Sequence, residues 1–383
     1  MKKIGYVIPV FPTLSETFVG VEIRAMQKLG HAVQPYAFSP GQHFQPADSE
    51  LKKQCRYLTS APAYPFANIW NFHRCHHFLR QQQGFCYLSL LRQGLQLARL
   101  AQQDKCEHLH AHFAWHSTAT AIVAAKLLNI PVSFVGHGAD IYATPQDIES
   151  KLKAANFICA VTKDMQNELQ TATKSPVLHI PCGIDASQYP PLNSNWQPKK
   201  DFLFIGRLVE KKGLDTLLHA LGQLPPDTHL DIVGDGPLRS SLNQLAHQLG
   251  LNSHTRSQVH FLGHKESAWY RQHANDYKAL VAPFTIAPNG DKDTGPLVIK
   301  EAMALGLPVI TTDLSGCNEI LEQQYGLQVP MDDHLALANA MATHRLQPIS
   351  TLKQIRQRAF DRVMDQFTAL SQAKRLSTQV EAL

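Results

Sequence analysis

The chain of 383 residues reads as an α/β protein made of two doubly wound domains. Three observations predict this class. Across the second half, short apolar runs alternate with amphipathic segments, the pattern of a parallel sheet assembled from right-handed βαβ units. The first half repeats the pattern less regularly. Between the halves, residues 185–201 are rich in Pro, Asn and Ser, break both periodicities and read as a linker.

Composition agrees. The length is enough for two cores, and 44% apolar with 17% charged residues excludes a disordered chain. A net charge of +5 suits anionic ligands or a phospholipid surface and is too weak to indicate nucleic acid. Seven cysteines without a CxxC pair fit a reduced, cytoplasmic protein. No run approaches the length of a membrane span, and the apolar stretch after Met1-Lys2-Lys3 is too short for a signal peptide.

In the first half, KIGYVIPV (3–10) reads as a strand. TLSE (13–16) reads as a capping box opening a helix that carries Glu22. CEHLHAHF (106–113), PVSFVGH (131–137) and FICAVT (157–162) read as further strands, with helices over 117–128 and 164–169. Residues 65–105 mix aromatics, leucines, histidines and arginines and read as two helices. They either pack on the sheet or touch a membrane surface, and packing is the favoured reading. In the second half, FLFIG (202–206), HLDIV (229–233), VHFLG (259–263), KALVAP (278–283), PVITTD (308–313) and GLQVP (326–330) read as strands. Helices are expected near 214–221, 238–249, 266–274 and 297–305, and again from 351 to 383.

Chemistry concentrates at strand ends, where open parallel sheets hold their ligands. GRLVEKKG (206–213) places Arg207 and Lys212 after a strand that ends in Gly206, and two cations there suit a diphosphate. The turn after 229–233 contains Gly234 and Gly236 and either accommodates a nucleotide or reverses the chain. In VGHGAD (135–140), His137 can hydrogen-bond a hydroxyl or a phosphate oxygen. In DKDTGPLVIKE (291–301), Asp293 stands on a loop and Glu301 on the next helix. Each carboxylate can accept hydrogen bonds from two hydroxyls, so the pair suits a polyhydroxylated ligand.

In order and approximate spacing, Gly206-Arg207, Lys212-Gly213, the turn 234–237, HFLGH (260–264) and the Asp293…Glu301 block resemble the retaining glycosyltransferases of family 4, of GT-B fold. HAHFA (110–114), HGADIY (137–142) and PCGID (181–185) resemble first-domain counterparts in its polysaccharide-building branch. The resemblance spans nearly the whole chain. It implies two Rossmann-like domains facing across a cleft: 1–184 on the acceptor side, 202–350 binding a nucleotide sugar, and 351–383 crossing back near Asp365–Phe367.

It further implies that Arg207 and Lys212 neutralise the donor diphosphate, Glu301 holds the ribose, Asp293 contacts the sugar hydroxyls and His137 reaches the sugar. Gly206, Gly234 and Gly236 would line the donor site. The backbone at Gly295, Pro296 and Leu297 would add the favourable N-terminal end of a helix dipole. Ser15 and Glu22 are expected on the acceptor side. The family usually carries glutamate where Asp293 stands, so the sugar stays unnamed.

The expected activity is a retaining, metal-independent hexose transfer with no protein nucleophile. The acceptor is expected to be a lipid-linked glycan of the cell envelope or an exopolysaccharide, met at the inner face of the cytoplasmic membrane. Two features imitate metal sites. Asp291-Lys292-Asp293 is formally a DxD. His108, His110 and His112 share one face of a strand, with His116 nearby, but no neighbouring Cys or carboxylate completes a ligand set in the sequence. No metal and no cofactor is expected. Rival readings are a sugar-nucleotide epimerase of the same architecture and a non-catalytic nucleotide-sugar-binding partner. A nicotinamide dehydrogenase is disfavoured because no G-x-G-x-x-G follows the first strand.

Overall fold

A computed structural model describes residues 1–58, 71–251 and 257–383. The chain forms two compact units, Met1–Gly183 with Ala369–Leu383, and Ile184–Thr368. In the first, strands β1 (Lys3–Val10), β2 (Ala32–Ser39), β3 (Arg56–Tyr57), β4 (His108–His112), β5 (Val132–Gly136), β6 (Phe157–Ala160) and β7 (Val177–His179) make a parallel sheet. Its order is β3-β2-β1-β4-β5-β6-β7. In the second, β8 (Lys200–Ile205), β9 (His229–Val233), β10 (Gln258–Gly263), β11 (Tyr277–Ala282), β12 (Val309–Thr312) and β13 (Leu327–Val329) take the order β10-β9-β8-β11-β12-β13, also parallel.

In each sheet the order reverses beside the first strand, between β1 and β4 and between β8 and β11. That switch opens a crevice at the carboxyl ends of the strands. Burial on both faces explains the continuous apolar runs. Along β8, Phe202 and Phe204 enter one core while Leu203 enters the other, as the two-residue period requires. Each such fully buried side chain contributes about 1.5–3 kcal/mol.

Several local expectations change. Thr13 makes no side-chain cap; Leu14–Glu16 form a 3-10 turn and the helix begins at Thr17. The segment expected to be a free linker packs on the second unit: the Trp196 indole donates to Asn275 O at 2.9 Å, Arg356 lies 4.2 Å from that ring, and Lys200 and Asp201 already belong to β8. Of the carboxyl-terminal residues, helix Ile349–Gln366 stays with the second unit and helix Ala369–Glu381 belongs to the first. The two connections run side by side, Ile184 N donating to Phe367 O at 2.8 Å.

Within 65–105, residues 65–70 lie outside the described residues. The remainder forms helices Phe72–Gln81 and Tyr87–Gln103, which bury Phe78, Leu79, Leu90 and Leu97. Among the described residues no helix is long and apolar enough to cross a membrane.

Candidate active site

In the second unit the ends of β8 and β9 touch. Gly206 N donates to Val233 O at 3.0 Å, and Gly234 has φ +137°. A Cβ on Gly234 would stand 1.9 Å from Gly206 O, so only glycine allows this approach. Gly236 lies against the Leu208 backbone in the same way. These two glycines therefore shape the loop that carries Arg207. The Arg207 side chain is exposed, and among the described residues its guanidinium has no partner.

Residues Glu210–Lys212 make one 3-10 turn, which turns both lysines toward the 291–293 loop. Lys212 Nζ is 2.8 Å from Asp293 Oδ2 and 4.6 Å above the Phe284 ring. Lys211 Nζ is 3.0 Å from Asp291 Oδ2 and 3.7 Å from Asp293 Oδ1. Both acids of the Asp-Lys-Asp sequence are thus neutralised by lysines.

Two turns of helix, Leu297–Ala304, follow this loop. Among the described residues no side chain caps its start at Pro296; Ile299 N donates to Pro296 O at 3.2 Å, which leaves the N–H groups of Leu297 and Val298 to face an anion. Glu301 is half-buried on its second turn. Burial pushes its carboxyl up to about 7, against the opposing pull of Arg271 and a hydrogen bond from the Tyr189 hydroxyl. Tyr189 is a member of this site that the sequence did not reveal, because it comes from the segment that reads as a linker.

In the first unit, the two-residue period puts His108, His110 and His112 on one face of β4, each with at most 1% exposure. Helix Thr17–Lys28 brings Glu22 beneath them. This corrects two expectations. A carboxylate does complete the histidine set, and Glu22 is only 2% exposed, an interior residue rather than one open to an acceptor. Glu22 Oε1 lies 3.5 Å from both His110 Nε2 and His112 Nε2, a spacing that could hold a metal ion. Both of its oxygens are already used, however: Tyr6 OH donates to Oε1 at 2.9 Å, and Gln372 Nε2 donates to Oε2. Burial raises the Glu22 carboxyl, but the pull of His112 and His110 outweighs it and holds the group well below the usual range.

His137 follows β5. Asp140 fixes its backbone, Oδ1 accepting from His137 N at 2.9 Å and Oδ2 from Ala114 N at 2.7 Å. The Phe18 and Phe113 rings each lie 4.6 Å from the imidazole. Burial lowers its pKa well below the ordinary value, which keeps the ring neutral. Ser15 is exposed on the 3-10 turn.

Comparison with known proteins identifies the family and the fold. A family model described as "Glycosyltransferase Family 4" matches residues 15–188, and one described as "Glycosyl transferases group 1" matches residues 199–344. The chain belongs to the family 4 glycosyltransferases. Over its full length this glycosyltransferase is 25% identical to WcaL of Escherichia coli K12, a protein named for colanic acid biosynthesis and covered over 100% of its length. It is 26% identical to TuaC of Bacillus subtilis 168, named for teichuronic acid biosynthesis and covered over 98%.

The fold is that of GT-B structures. Anabaena HepE, solved with UDP and glucose, superposes with a TM-score of 0.74 at 16% identity, covering 100% of both chains. Sucrose-phosphate synthase of Thermosynechococcus elongatus gives 0.74 at 18% identity, covering 100% of this chain and 99% of that one. In the second unit of this family 4 glycosyltransferase, Lys211 and Lys212 meet Asp291 and Asp293 beside the loop that follows β8, while Glu301 meets Tyr189 and Arg271 on the helix that follows the 291–293 loop.

Proposed function

We propose that this glycosyltransferase moves a hexose from a nucleoside diphosphate sugar to a lipid-linked glycan, in the biosynthesis of a cell-envelope polysaccharide or exopolysaccharide. The anomeric configuration is retained and no metal ion takes part. The observation that carries this reading is the exposed Arg207, without a partner among the described residues, in the same loop as Lys212 at the carboxyl edge of β8. Breaking a glycosyl–phosphate bond builds negative charge on the departing diphosphate, and fixed cations with a helix start stabilise that charge without reorganising. Arg207 and Lys212 take the diphosphate, Glu301 accepts from the ribose hydroxyls, and Asp293 and His137 contact the sugar.

The leaving phosphate itself assists deprotonation of the acceptor, which attacks from the same face, so no protein nucleophile is needed. Relatives named for colanic and teichuronic acid biosynthesis support a polysaccharide product, and the HepE complexes with UDP and UDP-glucose make UDP-sugars the first donors to try. A lipid-linked acceptor places the reaction at the cytoplasmic face of a membrane, with the protein bound peripherally.

The test incubates UDP-, GDP- and ADP-sugars with the enzyme and lipid-linked acceptor extract, then reads the product linkage by NMR. Transfer with retention supports the proposal. Inversion overturns the mechanism, isomerised sugar nucleotide formed from donor alone makes the protein an epimerase, and donor binding without turnover makes it a binding partner.

A further inference from the structure

The buried cluster of the first unit contains a chain of contacts that ends on His137. Glu22 Oε1 lies 3.5 Å from His112 Nε2; His112 Nδ1 lies 3.4 Å from His137 Nε2, and the two rings stack at 14°. A neutral imidazole offers one N–H and one lone pair, so the group that meets one nitrogen decides the other. Glu22, whose oxygens already accept from Tyr6 and Gln372, presents only lone pairs to His112; the 3.5 Å approach is an electrostatic contact and not a hydrogen bond, and it favours an N–H over a lone pair at Nε2.

With His112 neutral, that leaves its Nδ1 as an acceptor, and His137 donates to it from Nε2; a His112 cation would donate from both nitrogens and reverse the assignment. The reverse arrangement would set a lone pair of His112 against a buried carboxylate, which is costly. The neighbouring histidines obey the same accounting. His110 Nε2–H faces Glu22, Ser133 Oγ donates to His110 Nδ1 at 2.8 Å, and His108 Nε2 donates to Ser133 Oγ at 2.7 Å.

We propose that Glu22 and His112 are positioning residues that lock His137 in its Nε2–H tautomer, so that the Nδ1 lone pair accepts a hydrogen bond from a hydroxyl of the donor sugar. The consequence for the sugar rests on the role proposed above for His137; the tautomer itself does not. Glu22, unable to reach a substrate, acts on the reaction through two imidazoles.

The experiment is ¹⁵N NMR of the full chain labelled at histidine, without substrate, at about pH 8 where neutral imidazoles dominate, with His137 assigned by loss of its signals in H137N. A protonated Nε2 and unprotonated Nδ1 on His137 are expected. A protonated Nδ1 overturns the proposal, as does a stoichiometric metal ion bound at Nε2 of His110 and His112. His112→Phe removes the acceptor and should give mixed His137 tautomers. His112→Asn, with one carbonyl oxygen toward His137 and one N–H toward Glu22, should restore the single tautomer. In the transfer assay H112F should lose about tenfold in kcat/KM for the donor, the worth of one hydrogen bond, and H112N should recover it. If the tautomers behave as expected while kcat/KM does not move, the sugar contact of His137 fails and the tautomer lock stands.

Discussion

Glu301 is held in a form unsuited to its proposed task. Burial raises its carboxyl from an ordinary 4.5 to about 7, so near neutral pH the folded protein keeps much of it protonated. Ribose hydroxyls donating to it favour the carboxylate, so donor binding should release a proton and tighten as pH rises from about 6 to about 8. Calorimetry should show that slope in the wild type and its absence in E301Q, with nucleotide affinity in E301Q down about 10–100-fold at pH 8, since hydrogen bonds to a charged group are worth about 1.5–3 kcal/mol.

The sign for stability is opposite. A raised folded pKa means that the ionised unfolded chain is favoured once pH exceeds the unfolded value of the group. The wild type therefore loses stability between about pH 4.5 and 7, and E301Q should melt higher at pH 8 yet equal to wild type near pH 4. Thermal melts at the two pH values check this, and an E301Q protein that melted lower at pH 8 would contradict it. Arg207 and Glu301 could be picked from the sequence as candidates because one follows a strand end and the other lies on the helix after the 291–293 loop, each with the chemistry a ligand needs. Tyr189, which donates to Glu301, was not, because only tertiary packing brings it there.

At the level of elements, the donor loop is held from below by helix Ser315–Leu321. A Cβ on Gly316 would stand 2.7 Å from the Thr294 carbonyl carbon and oxygen, so that glycine sets how low the 293–295 loop can lie. G316A should lift the loop and raise donor KM about tenfold, at a folding cost of about 1–3 kcal/mol typical of overpacking. Steady-state kinetics with a denaturant titration would separate the two effects, and an unchanged KM would show that the loop does not contact the donor.

The strands β8, β9, β11 and β12 of the second unit could be read from sequence because each is short and dominated by apolar or β-branched residues, with Asp231 the single acid inside β9. β2 could not, since Pro35 and Gln34 interrupt it. The Thr13–Glu16 capping box failed because the chain there tightens into a 3-10 turn before the helix starts.

For the whole molecule, the two sheets share a topology in which strand order reverses beside the first strand, and each unit places its candidate residues at the carboxyl edge. The alternation of strands and helices announced this architecture. What the sequence hid was the burial of Glu22, because strand period placed three histidines on one face but could not say which helix would cover them.

Because lysines neutralise Asp291 and Asp293, donor turnover should survive excess EDTA within about twofold of its untreated rate. Loss of activity rescued by Mn²⁺ would return the Asp-Lys-Asp sequence to metal binding.

The proposed function requires the crevice of the second unit to grip a diphosphate. Arg207 is exposed and has no partner among the described residues, so R207A should fold and melt as the wild type does. Calorimetric titration of UDP, GDP and ADP, each beside its nucleoside, into wild type and R207A tests the claim most directly. At least one diphosphate should bind the wild type and lose about 10–100-fold in R207A, while its nucleoside binds both proteins equally. Equal diphosphate affinity in the two proteins would contradict it.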